Sequence, residues 1–219
     1  MVEFKTTLFK GLQAKGLKDF NINVSDHQAQ LMAMHAKELM VWNKKINLTA
    51  IKQPLQIVEK HFIDCLAAAS FIKNRKSIID MGSGGGFPGI ILKIINPELE
   101  IVLMDSSRKK INFLKHVIRL LALKNINAIH TRVQDLHENI LYKNRFDAVI
   151  SRAFTELSNF VELASPFLKT DGAIYAMKGK LAKKEISPKL LEKFQIKTNH
   201  YVLPFERSDR YVIELIKEL

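Results

Sequence analysis

The sequence predicts an α/β fold: a mainly parallel, seven-stranded sheet covered by helices, with a helical appendage at its N-terminus. Three features point to it. From residue 77 onward short β-rich runs alternate with helical stretches. Those runs are apolar almost throughout, as strands buried on both faces must be. Residues 1–70, by contrast, show helical spacing. The chain accordingly divides into an appendage, 1–70, packed on a core domain, 71–219. At 219 residues and 47% hydrophobic, it has enough apolar material for one large domain plus that appendage.

In the appendage, Ser25-Asp26-His27-Gln28 forms a capping-box pattern, with Ser25 as N-cap and Gln28 reaching back. Leu31, Met34, His35, Leu39 and Trp42 follow at helical spacing. Asn43–Thr49, with Lys44 and Lys45, reads as a polar loop. A second helix starts at Pro54, whose fixed φ suits a first turn, and carries Leu55, Val58, Phe62, Cys65 and Leu66 on one face. The expected strands are SIID (77–80), EIVLMD (100–105), NAIHTRV (127–133), FDAVIS (146–151), AIYAMKG (173–179), QIKTNHYVL (195–203) and YVIELIK (211–217). Helices are expected at 88–95, 108–123, around 156–168 and near 189–194. Right-handed crossovers between parallel strands make the sheet doubly wound. Only PFERSDR separates the last two strands, which makes that edge an antiparallel hairpin.

Composition narrows the function classes. One cysteine, Cys65, excludes an internal disulfide framework and an all-cysteine metal site, and the histidines show no metal-ligand spacing. The apolar runs are too short to span a membrane and no signal peptide is visible, so a cytoplasmic protein is expected. Lysine and arginine exceed the acids 34 to 22, a net charge of +12. A lysine-rich surface alone could account for this; a polyanionic partner, RNA or DNA, is the sharper reading.

The stretch DMGSGGGFPG, Asp80–Gly89, holds five of the nine glycines and follows the first strand. In a doubly wound sheet that is where ligands bind. Gly84 to Gly89 formally satisfies GxGxxG, the nicotinamide fingerprint. The other register, Asp80-x-Gly82-x-Gly84-x-Gly86, places an acid ahead of alternate glycines. A carboxylate there repels a pyrophosphate and favours a ligand carrying ammonium and sulfonium groups, which selects S-adenosylmethionine. Asp105, closing the second strand, suits ribose hydroxyls, with capping of the next helix as its bland alternative. The third strand ends at Arg132-Val133-Gln134-Asp135, where the adenine edge falls and backbone donors can read the base.

Two absences bear on the methyl acceptor. Ser151-Arg152-Ala153-Phe154 stands where amino-group methyltransferases of nucleic acids carry an Asn/Asp-Pro-Pro-aromatic turn. Carbon-5 methylation of pyrimidines requires a cysteine nucleophile, and Cys65 sits in the appendage as a packing residue. A guanine N7 removes both requirements. Its lone pair is in the ring plane and carries no proton, so no general base and no catalytic residue is expected. Orientation can supply about 7–11 kcal/mol of the barrier reduction.

KINLTAI (45–51), EKHFIDCL (59–66), DMGSGGGFPG (80–89), DSSRKKINFL (105–114), ISRAF (150–154) and AMKG (176–179) together resemble the ribosomal RNA small subunit methyltransferase G family, also called glucose-inhibited division protein B. The resemblance implies a class I S-adenosylmethionine-dependent methyltransferase of Rossmann-like fold acting on N7 of one guanine in 16S ribosomal RNA. It implies donor contacts at Gly82, Phe87, Val133, Gln134 and Arg152. Glutamate is usual where this chain has Gln134, and serine where it has Cys65. An arginine at Arg152 could instead pair with an acid such as Asp147. His61 and Asp64 read as packing and hydrogen-bonding residues of the appendage.

The basic side chains expected to follow RNA phosphates are Lys44 and Lys45 in the appendage, Arg108, Lys109 and Lys110 opening the helix after Asp105, and Lys178, Lys180, Lys183 and Lys184 after the fifth strand. The target guanine would be flipped or already unpaired. The partner is 16S ribosomal RNA or the small ribosomal subunit, and a monomer is expected because no apolar stripe demands a dimer. A methyltransferase for another RNA or a small molecule, or a non-catalytic RNA-binding module, are the alternatives.

Overall fold

A computed structural model describes residues 2–14, 22–72, 74–137 and 139–217. Four helical segments precede the sheet: α1 (Val2–Leu12), α2 (Asp26–Ile46), α3 (Pro54–Ile57) and α4 (Asp64–Ala69). A π-helical turn, Val58–Ile63, joins the last two. The strands are β1 (Ser77–Met81), β2 (Glu100–Asp105), β3 (Ile126–His130), β4 (Phe146–Arg152), β5 (Leu168–Gly179), β6 (Phe194–Val202) and β7 (Asp209–Lys217). Between them lie α5 (Gly89–Ile95), α6 (Arg108–Leu120), α7 (Leu157–Ala164) and α8 (Pro188–Leu191).

The strands order as β3-β2-β1-β4-β5-β7-β6. β1 to β5 are parallel, and β7 runs antiparallel to both β5 and β6, as the short PFERSDR connection requires. Alternate side chains feed two cores. Ile78, Ile101, Leu103 and Ile150 join α5, α6 and the helices before β1; Ile79, Val102, Met104 and Val149 join α7 and α8. The chain therefore crosses from β1 to β3 on one face and from β4 to β5 on the other, which puts the switch point beside the end of β1.

Ser25 forms the capping box, its hydroxyl accepting from the Gln28 N–H while the Gln28 side chain accepts from the Ser25 N–H. Several boundaries move. α2 continues to Ile46, so Lys44 and Lys45 occupy its last turn instead of a loop; cations there complement the helix dipole. Leu55 is 50% exposed instead of core-facing, and the helix from Pro54 is interrupted by the π turn, which rotates its apolar face. β3 stops at His130, leaving Val133 and Gln134 in a 3₁₀ turn. β5 starts earlier, at Leu168, and ends at Gly179 as expected, a span that puts Lys178 within the strand and not after it.

Candidate active site at the carboxyl ends of the strands

β1 and β2 pair in register up to Met81 opposite Met104, and the chain then turns sharply. Gly82 and Ser83 donate their N–H groups to the Met104 carbonyl at 2.8 and 3.0 Å. The Ser83 hydroxyl donates to the Asp80 carbonyl and accepts from the Met104 N–H. Three positive φ angles carry the loop, Gly82 at 75°, Gly84 at 54° and Gly86 at 90°. A methyl group on Gly84 would meet only the Gly82 carbonyl, 3.8 Å away, so this part of the loop is open to a ligand's approach. Gly86 faces inward, against Ile90 and Leu114.

Asp80 lies beneath the loop, fully buried. Its Oδ2 accepts from the Gly89 N–H at 2.9 Å, and its Oδ1 has no partner. Burial raises the carboxyl to about 7, against the stabilising N–H of Gly89 and the Ser83 hydroxyl. The expected carboxylate at the mouth of the turn is thus placed behind it, where it ties the start of α5 to the end of β1. Asp105 is the acid at the mouth. Its Oδ2 accepts from the Gly84 N–H at 3.0 Å and its Oδ1 from the Ser107 N–H at 2.8 Å. Lys110 Nζ stands 3.9 Å from Oδ2.

A cavity of about 380 Å³ opens here, walled by Gly82, Met104, Asp105, Ser106 and Lys110 on one side and by Thr131, Arg132, Val133 and Gln134 on another. Ala153, at a positive φ of 53°, and Phe154 close the third side. Phe154 lies over Gly82, where a Cβ would strike its ring at 2.6 Å. The walls suit S-adenosylmethionine: an open loop backbone, an acid at the end of β2 with lone pairs to spare, and an apolar residue beside an amide at the end of β3. Of the residues singled out in the sequence, Gly82, Asp105, Val133 and Gln134 line this cavity, and Gly84 is bonded to its edge.

Phe87 and Arg152 are turned away from it. The Phe87 ring is sandwiched between His35 and His61, with centroids 4.9 and 4.6 Å away and planes within 18° and 16° of parallel. Arg152 reaches back into the appendage, donating to the Lys60 carbonyl at 2.7 Å and to His61 Nδ1 at 2.9 Å, and pairing with Asp64 at 3.4 Å. Asp147 takes Lys169 instead of Arg152 as its partner. Burial, then the Arg152 charge, lowers His61 to about 3, and burial lowers His35 to about 4, so both rings are neutral at physiological pH. Neutral His61 accepts from Arg152 at Nδ1, which leaves its Nε2–H to donate to Thr49 Oγ1 at 2.9 Å.

The basic side chains separate into two groups. Lys44, Lys45, Arg108, Lys109, Lys180, Lys183 and Lys184 are exposed. Lys178 is half-buried: it donates to the Thr155 carbonyl at 2.6 Å and pairs with Glu185 at 2.7 Å, and Glu185 also accepts from the Leu157 N–H. It fixes the segment between β4 and α7. Arg132 lines the cavity with Val133 and Gln134, as the adenine-edge tetrapeptide predicts; Phe154 is a cavity residue that sequence reasoning does not single out, and its signal is position, soon after β4 in a sheet that binds ligands at strand ends.

The sequence profile described as "GidB: rRNA small subunit methyltransferase G" matches residues 28–211. Ribosomal RNA small subunit methyltransferase G of Oceanobacillus iheyensis is 37% identical over 209 residues, covering 92% of this chain and 88% of the relative. The protein of the same name from Geobacter sp. strain M21 is 41% identical over 177 residues, 81% of each chain. Among solved structures, a SAM-dependent methyltransferase from Aquifex aeolicus shares the fold, with a TM-score of 0.56 at 13% identity over 78% of this chain and 97% of that one. The chain belongs to the ribosomal RNA small subunit methyltransferase G (GidB) family of S-adenosylmethionine-dependent methyltransferases.

Proposed function

We propose that this protein transfers a methyl group from S-adenosylmethionine to N7 of a guanine in 16S ribosomal RNA, as a cytoplasmic monomer working on the small ribosomal subunit or its RNA. The reading is carried by one observation: in a chain of this family, the cavity at the strand ends joins an open glycine backbone to Asp105 and to Val133–Gln134. S-adenosylmethionine supplies an electrophilic methyl group on a sulfonium. The residues bind and orient. Asp105, already fixed by two N–H donors, offers its remaining lone pairs to ribose hydroxyls. Val133 gives a purine an apolar wall, and the Gln134 amide or the backbone beside it reads the base edge. Phe154 covers Gly82 and excludes water from the reacting end.

Guanine N7 brings its own lone pair, so alignment does the work that a base would do elsewhere. Phe87 and Arg152 hold the loop from behind in this reading, and Asp80 and Gly86 belong to its construction. The exposed Lys44, Lys45, Lys180, Lys183 and Lys184 meet phosphates.

The test is to incubate the protein with radiolabelled methyl donor and small subunits lacking the modification. Label in 16S RNA at a guanine that becomes cleavable by N7-specific chemistry is the expected result. Label on another atom or another RNA, or donor binding without label, overturns the proposal.

A further inference from the structure

Away from the cleft, α6 carries a second basic feature. Arg108, Asn112, Lys115 and Arg119 are all exposed. At 100° per residue their spacings of four, three and four place them within about 60° of arc, on one face. At 1.5 Å rise per residue the strip is about 16 Å long. No acidic side chain interrupts α6. The strip starts beside the cleft, since Ser106 and Lys110 both line that cavity, and runs down the flank of the domain.

Its far half borders a separate cavity of about 430 Å³. Trp42, from α2, Ile118, from α6, and Ile126, at the start of β3, are its half-buried apolar residues. Lys115 and Arg119 supply exposed charge beside them. Asn112 and Asn127 add amides that can both donate and accept. Trp42 is set edge-on against Phe113, with centroids 5.6 Å apart, and carries His116 tilted by 33° at 5.3 Å on the cavity wall, where His116 is paired with Glu38 at 2.8 Å. A half-buried indole, flanking cations and two amides are the parts that single-stranded RNA sites use to stack a base and hold its phosphates.

We infer that this flank cavity is an RNA subsite. An unpaired base of the ribosomal RNA stacks on Trp42, and the adjoining phosphates follow the Arg108–Arg119 strip back to the reactive cleft. The inference rests on the proposed function for the identity of the RNA. The occupant follows from charge: Glu38 is taken by His116, and among the described residues no ion pair occupies Arg108, Lys115 or Arg119, on a chain of net charge +12. The subsite adds affinity and fixes the direction in which RNA leaves the cleft.

Trp42 is the only tryptophan, so its fluorescence reports the subsite directly. Protein-free 16S ribosomal RNA, folded in magnesium, is titrated into the full chain while emission and binding are followed together. Saturable quenching is expected. Trp42→Ala should weaken binding about 5- to 150-fold and Trp42→Phe far less, since it retains a ring. Because Trp42→Ala also removes packing on Phe113, the exposed double variant Lys115→Glu/Arg119→Glu gives an independent reading. It should flatten the slope of log Kd against log salt by about 1.4, two phosphate contacts.

Unchanged emission at saturation overturns the subsite, as does a double variant with parental affinity and slope. Quenching by intact subunits but not by the RNA also overturns it and assigns the cavity to a ribosomal protein. Methylation by the parent protein is scored on this RNA and on small subunits lacking the modification. N7 label on either with a silent tryptophan sinks the subsite alone; quenching with N7 label on neither sinks the proposed reaction alone.

Discussion

Asp80→Asn isolates the electrostatic cost of the loop. Burial raises the Asp80 carboxyl to about 7, whereas an unfolded aspartate titrates near 3.9. The folded chain therefore binds this proton more tightly than the unfolded one. Ionised Asp80 lowers stability above pH 7, and the penalty fades as pH falls from 7 towards 4. At 1.36 kcal/mol per pH unit the full penalty is about 4 kcal/mol, of which about 2 kcal/mol is relieved between pH 7.5 and 5.5. Asparagine keeps a carbonyl to accept from the Gly89 N–H and cannot titrate. Buried His35 and His61 act in the opposite sense. Held to about 4 and about 3, they stay neutral when folded while their unfolded counterparts take up protons near 6.5. Their contribution is complete above pH 6.5 and declines on acidification, by about 1.3 kcal/mol each over the same interval. The parent protein thus gains from Asp80 much of what it loses at the histidines. Urea unfolding at pH 7.5 and 5.5 should show the variant losing about 2 kcal/mol more than the parent on acidification. Parallel stability–pH curves would refute the placement of Asp80 as a buried, half-satisfied acid.

Gly84→Ala meets open space but must adopt a left-handed φ of 54°, a cost of about 1–2 kcal/mol, so it should fold. Its methyl group enters the ligand's approach, and calorimetric affinity for S-adenosylmethionine should fall about tenfold. Asp105→Ala releases the Gly84 and Ser107 N–H groups and the proposed ribose contact; a loss of about 10- to 100-fold in donor affinity is expected in the same assay. Glu59→Ala removes a buried carboxylate that accepts from the Phe205 and Glu206 N–H groups at 2.6 and 2.8 Å, and urea unfolding should show a loss of about 3 kcal/mol.

The strands were legible because both faces are buried, and continuous apolar runs such as Ile78-Ile79 or Val102-Leu103-Met104 leave few alternatives. Boundaries were less so. Nothing in the local pattern distinguishes Asn43–Ile46 as a last helical turn from a polar loop, and the π turn at Val58–Ile63 depends on partners far along the chain. Within the site, the acid–glycine register pointed to the correct cofactor class for a partly different reason. The register predicts Asp80 beside the ligand; the fold puts it under the loop, with Asp105 as the acid at the cavity. Gly89 shows why. A Cβ there would lie 2.3 Å from Leu103 and 2.7 Å from Asp80 Oδ2, so α5 starts in direct contact with β1 and the acid fills the joint. Which of two acids faces solvent depends on that packing and cannot be read from spacing alone.

The same dependence on distant partners explains EKHFIDCL. Each polar residue of this segment is matched to a different part of the chain: Glu59 to the β6–β7 turn, the Lys60 carbonyl and His61 to Arg152 at the end of β4, and Asp64 to Tyr201 at 2.7 Å. His61 adds the stack on Phe87, and His35 closes it from α2 while bonding the Gly85 carbonyl at 2.8 Å. Three neutral rings in register, with a guanidinium 5.1 Å from the middle one, connect the helices before β1 to the glycine loop. A protonated His61 could no longer accept from Arg152 and would face it as a like charge, so the stack requires the depressed histidines that burial provides. The appendage therefore belongs to the machinery of the site: it supports the far side of the loop whose near side borders the cavity.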